Sequence, residues 1–117
     1  MTISERDFQR QVIELAQMFE WRVAHFRTAL NQRGHYQTPV AADGAGWPDL
    51  VLVHERSGRI LFRELKSDKG RLAQNQEDWG RWLEAAGCDW GVWKPKDLDG
   101  IAVVLSGGRA TTTKGET

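Results

Sequence analysis

Apolar residues recur at helical spacing near the start of the chain, where Phe8, Val12, Leu15, Ala16 and Phe19 fall on one face. Ser4, followed three residues on by Asp7, has the form of an N-cap with an acidic first turn. The pattern predicts a helix from about Glu5 to Phe19 or Glu20. Trp21 to Phe26 is short, aromatic and β-branched, and reads as a strand. From Thr28 to Trp47 the periodicity fails, and Asn31, Gly34, Pro39, Asp43, Gly44 and Gly46 mark a long loop. Loops beyond ~12–15 residues in compact domains are mostly functional or disordered.

Leu50–His54 and Ile60–Lys66 are apolar runs separated by Glu55-Arg56-Ser57-Gly58-Arg59, the pattern of a hairpin turning near Ser57-Gly58. A turn centred there sets Asp49 opposite Lys66, Val51 opposite Glu64 and Val53 opposite Phe62. Alternation then gathers Asp49, Val51, Val53, Ile60, Phe62, Glu64 and Lys66 on one face, and Leu50, Leu52, His54, Leu61, Arg63 and Leu65 on the other. Both faces are mainly apolar, as in central strands covered on both sides, with a polar trio at one end of one face. Gln74 to Ala86 carries Trp79, Trp82, Leu83 and Ala86 at helical spacing with Gly87 as a stop, and Asp89 to Trp93 reads as a further strand. Pro95 precedes a short helical or extended piece around Leu98 to Leu105. The expected fold is α/β: a mixed sheet with a central hairpin flanked by helices, forming one domain over residues 1–106 with a flexible tail over 107–117.

Composition adjusts this picture in three ways. Sixteen Lys and Arg balance sixteen Asp and Glu, so overall charge does not point to nucleic acid. Forty per cent hydrophobic residues and six tryptophans exclude disorder for most of the chain. One cysteine, Cys88, forms no internal disulfide, no Cys/His set has zinc-site spacing, and no apolar run approaches the ~20 residues of a membrane span. A soluble protein of a reducing cytoplasm is the expectation, with Cys88 a small buried hydrophobe. Trp79, Trp82, Trp90 and Trp93 are expected in the core or a dimer interface, and His25, His35 and His54 lack ligand spacing.

The chemistry lies in Asp49, Glu64 and Lys66. Two acids and a lysine at one sheet end can be a plain salt-bridged cluster, but charges interrupting a two-faced apolar sheet are costly unless paired or bound to metal. Two carboxylates and a backbone carbonyl suffice as a protein's share of a Mg²⁺ site, with Lys66 placed to act on a water or a phosphate oxygen.

Gly46-Trp47-Pro48-Asp49-Leu50-Val51-Leu52, then Phe62-Arg63-Glu64-Leu65-Lys66-Ser67, then Leu72 and Gln76-Glu77-Asp78-Trp79 resemble the VRR-NUC family of the PD-(D/E)XK nuclease superfamily, over about residues 4 to 95. The resemblance implies a restriction-endonuclease-like core and a Mg²⁺- or Mn²⁺-dependent phosphodiesterase acting on DNA. It casts Asp49 and Glu64 as metal-binding acids, the carbonyl of Leu65 as a further ligand, Lys66 as the catalytic lysine and Gln76 as a support of the site. Glu5 matches an acid that completes the metal site; Glu14 is its competitor, and an acid in a first helical turn also suits the helix dipole. Stand-alone members resemble viral and bacterial homodimers that cleave four-way junctions, which two sites related by two-fold symmetry can resolve. Flaps, single strands or duplex DNA are alternative substrates, and a catalytically silent nucleic-acid-binding module is a rival reading.

Arg6, Arg10, Arg27, Arg33, Lys69 and Arg71 are candidate DNA contacts, with His35, Tyr36 and Gln37 in the long loop and Arg81 on the second helix as further candidates. Trp47 is placed to shape the entrance beside Asp49. A cation held by Glu5, Asp49 and Glu64 would leave Arg6, Arg10, Lys66, Lys69 and Arg71 to make that region positive despite the neutral total.

Overall fold

The chain begins as its cap foretells: the Ser4 hydroxyl accepts from the Asp7 N–H at 3.1 Å and starts helix α1 (Glu5–Met18). The computed structural model describes residues 3–26, 29–30, 36–37 and 40–107. After α1 come β1 (Arg22–His25), β2 (Ala29–Leu30), β3 (Tyr36–Gln37), β4 (Leu50–His54), β5 (Arg59–Leu65), α2 (Gln74–Ala85) and β6 (Asp89–Trp93). A 3-10 turn (Pro95–Asp97) leads into α3 (Leu98–Leu105). The main sheet runs β1-β4-β5-β6, antiparallel except for the β5/β6 pair, which α2 connects. The span expected as an unbroken loop contains a second small sheet in which β2 pairs with β3.

Alternation sorts the two faces as expected. Leu50, Leu52, Leu61 and Leu65 are buried against Phe8, Val12 and Ala16 of α1 and Ile101 and Leu105 of α3, with Trp21 and Trp93 closing the cluster. The Trp21 indole N–H donates to the Leu105 carbonyl at 2.8 Å and ties α3 to the end of α1. Leu52 sits in the middle of this cluster with no exposed surface. Leu52→Ala is expected to destabilise the domain by about 2–5 kcal/mol in denaturant unfolding.

The opposite face is only partly covered, contrary to the expectation. α2 packs closely over β6, where the Gly80 position lies against the Trp90 ring so that an added Cβ would come within 2.6 Å of it. Farther along, the opposed pair Val53 and Ile60 stays exposed. Among the tryptophans expected inside, Trp93 is buried, Trp79 and Trp90 are half-buried, and Trp82 is exposed. Cys88 is half-buried rather than buried.

The hairpin register differs from the expected one by two residues. Leu50 opposes Arg63 and His54 opposes Arg59, leaving a four-residue connection, Glu55 to Gly58. The cause is local: the Gly58 N–H reaches back to the His54 carbonyl at 2.9 Å, and His54 Nδ1 lies 2.7 Å from the Ser57 hydroxyl. Because the slip is an even number, every side chain keeps its face. Asp49, one step beyond Leu50, therefore stands opposite Glu64 and not opposite Lys66.

Arg63 is buried on the core side of β5. It donates to the Asp89 carbonyl at 2.7 Å and to Asp89 Oδ1 at 2.8 Å, and its guanidinium lies over the Trp93 ring at 4.9 Å. Burial pulls its pKa below the ordinary arginine value while Asp89 opposes that shift, so the group fastens β6 to β5 as a charged pair. Among the described residues no helix is long and apolar enough to cross a membrane.

Candidate active site

Three side chains line up across the sheet end. The β1/β4 register carried one step past His25 and Leu50 sets Phe26 opposite Asp49, and the Phe26 N–H donates to the Asp49 carbonyl at 2.8 Å. The β4/β5 register sets Asp49 opposite Glu64. Directly opposed residues have Cβ atoms about 4.5–5.5 Å apart, closer than the diagonal relation of Asp49 and Glu64 that follows from setting Asp49 opposite Lys66. Asp49 Oδ2 accepts from the Leu65 N–H at 2.8 Å, which fixes its carboxylate against β5.

Glu64 has no exposed surface. Its pKa is raised to about 8, first by burial, then by the Asp49 charge and a hydrogen bond with that carboxyl; the charge of Lys66 and the Asp49 backbone pull less strongly the other way. Gln76, in the first turn of α2, points its amide at this carboxylate. Its Oε1 accepts from the Ala73 N–H at 2.8 Å and caps the helix, so Nε2 is the group left to donate to Glu64 Oε1, at 3.4 Å. Glu64 Oε2 is buried and has no hydrogen-bond partner among the described residues. A buried carboxylate oxygen without a donor, beside a second carboxylate, suits a hard divalent cation.

Backbone contacts explain why these elements meet. Gly46 has φ +93°, and an added Cβ there would lie 2.5 Å from the Asn75 carbonyl. Only glycine lets the segment leading into Asp49 pass so close to the start of α2. On the far side, the Lys66 N–H donates to the Trp93 carbonyl at 3.1 Å, and Asp68 Oδ1 accepts from the Lys96 N–H at 3.0 Å. These bonds hold the segment after β5 against the end of β6.

A groove of about 740 Å³ opens beside Asp49 and is lined by Glu5, Arg6, Arg10, Glu14, His25 and Phe26, among others. Glu5 and Glu14, rivals in the sequence, thus both face the groove. Neither joins Asp49 and Glu64 in a group of three acids, since no cluster of three or more His, Cys, Asp or Glu able to hold a metal occurs among the described residues. Arg10 pairs with Asp7 at 3.2 Å. Lys69 and Arg71 are exposed on the segment between β5 and α2, and Arg81 pairs with Asp78 at 2.7 Å. Arg27, Arg33 and His35, and the side chains of Tyr36 and Gln37, lie outside the described residues.

A family profile described as the VRR-NUC domain matches residues 28–96, more than half of the chain. The chain belongs to the VRR-NUC family. Membership makes it a nuclease-family protein, and the match spans Asp49, Glu64, Leu65, Lys66 and Gln76. It begins after α1, so Glu5 falls outside it. A solved structure described as a VRR_NUC domain is similar in fold, with TM-score 0.61 at 20% identity over 83% of this chain and 91% of the other. No curated protein matches the chain.

Two features of the site have little local signal in the sequence. Phe26 was hidden because its place opposite Asp49 depends on the β1/β4 register, for which no turn between those strands gives a local signal. The double use of Gln76 was legible in principle: a Gln at the third position of a helix whose N-cap is Ala has a backbone N–H to satisfy.

Proposed function

We propose that this VRR-NUC chain is a Mg²⁺- or Mn²⁺-dependent endodeoxyribonuclease that cuts branched DNA as a homodimer. The observation that carries the catalytic reading is the buried Glu64 opposite Asp49, its Oε2 without a hydrogen-bond partner among the described residues. Asp49 and Glu64, with the Leu65 carbonyl, would hold the metal. When bound, the metal supplies Lewis-acid stabilisation of phosphate charge and a more acidic water.

The protein's own groups then have separate tasks. Asp49 is anchored by the Leu65 N–H, so its carboxylate is oriented before any ligand arrives. Gln76 engages Glu64 Oε1 and leaves Oε2 open. Lys66 lies close enough to Glu64 for its charge to be felt there, and it offers an ammonium to the extra negative charge on the phosphate as water adds and the P–O bond breaks. Arg6 and Arg10, in the groove beside Asp49, would meet neighbouring phosphates, and the exposed Lys69 and Arg71 on the β5–α2 segment would add positive charge. Such contacts weaken as salt rises.

One site cuts one strand, so symmetric resolution of a four-way junction requires two copies. Incubation of the protein with a synthetic junction and Mn²⁺ is expected to give paired symmetric nicks, with a dimer in sedimentation. Cutting of linear duplex alone would overturn the branched-DNA part of the reading.

A further inference from the structure

We infer that Phe26 forms a stacking subsite for one unpaired base of the DNA, immediately beside the Asp49–Glu64 pair; this rests on the nuclease reading above. Phe26 is 37% exposed although it directly follows β1, and it lines the groove that contains Asp49, Arg6 and Arg10. A large apolar ring left open among charged groups is a poor way to bury surface, but it suits a ligand that is itself flat and apolar on its faces. The ring is also held in place. Its backbone is bonded to Asp49, and its edge-to-face contact with Trp47, centroids 6.2 Å apart, is backed by Trp47 packing edge-to-face on Phe62 at 5.8 Å and on Trp79 at 5.1 Å. The Trp79 indole N–H donates to the Asp43 carbonyl at 3.0 Å, which ties this aromatic row to the segment before Asp49. A stacking ring braced in this way keeps its distance from the carboxylates fixed.

Base faces are accessible only where a base is unpaired or turned out of the stack. With arginines in the same groove for the backbone, the subsite selects DNA whose bases splay apart next to the cut phosphate, as at a branch, without reading their identity. Duplex DNA that keeps its stack gains nothing from it.

The test is a cycle of variant against substrate. Phe26→Ala is expected to lower kcat/KM on branched DNA roughly 10- to 100-fold, the range for losing one stacked base, while Phe26→Trp retains activity. An abasic nucleotide beside the cut, tried on each flank in turn, should cost the wild type a similar factor at one position and cost Phe26→Ala nothing more. Losses that multiply, or wild-type activity in Phe26→Ala, overturn the subsite. If Phe26→Ala does not fold, Phe26→Leu keeps much of the packing without the π face and takes its place in the cycle. If the wild type cuts no DNA, the nuclease reading fails, and anisotropy titration of a labelled single-stranded oligonucleotide without metal decides the stacking: weaker binding by Phe26→Ala, removed by the abasic site, supports it, and equal binding overturns it.

Discussion

Asp49→Asn is expected to leave the fold intact and to lower metal-dependent cleavage by roughly 10²- to 10³-fold, the range found when a group stabilising transition-state charge is removed. The asparagine side-chain oxygen can still accept from the Leu65 N–H, so the bond that fixes position 49 survives. What disappears is the Asp49 charge, one of the influences that keep Glu64 protonated up to about pH 8. With that bond kept, the unfolding temperature without metal should stay close to that of the wild type. Lys66→Ala is expected to cost cleavage similarly while sparing Mn²⁺ binding, because in the proposed mechanism its ammonium would act on the phosphate and not on the metal. Cleavage retained by purified Asp49→Asn would refute the assignment of the site.

Stability should fall as pH rises from about 5 to about 8 in the absence of metal, and Glu64→Gln should remove most of that slope. The sign follows from protons bound. In the unfolded chain Glu64 ionises near the usual carboxylate value, whereas in the fold it keeps its proton up to about pH 8. Between those values the folded state holds the extra proton, so each step upward in pH favours unfolding, and above about 8 the penalty is constant. The slope is worth a few kcal/mol over the whole window. Thermal melts of the wild type and Glu64→Gln across this range check it; parallel curves would show that Glu64 is not held neutral. Mn²⁺ held by Asp49 and Glu64 as proposed would have to displace the same proton, so its stabilising effect on the wild type should grow with pH over that window.

Most of the fold was legible because its elements announce themselves locally. Ser4 caps α1, the two apolar runs flank a turn, and Pro95 breaks the chain before α3. The hairpin register was not, because it hangs on how His54, Ser57 and Gly58 close the turn, and the sequence admits either a two-residue or a four-residue connection there. Face assignments survived, since alternation is insensitive to an even slip. The placing of Asp49 and Glu64 on one face was therefore legible although their pairing was not: Asp49 stands opposite Glu64, and Lys66 lies two residues beyond Glu64. The open half of the second sheet face, at Val53 and Ile60, was misread because an apolar strand residue carries no mark of whether a helix reaches it. Phe26 was missed for a related reason, its neighbours across β4 and in the Trp47 row being distant in sequence.

In the proposed function Asp49 and Glu64 together bind a divalent metal. Calorimetric titration of Mn²⁺ into the wild type and Glu64→Gln at about pH 8 tests it most directly. The expected result is saturable binding to the wild type that is lost in the variant. Equal binding to both proteins would contradict the claim.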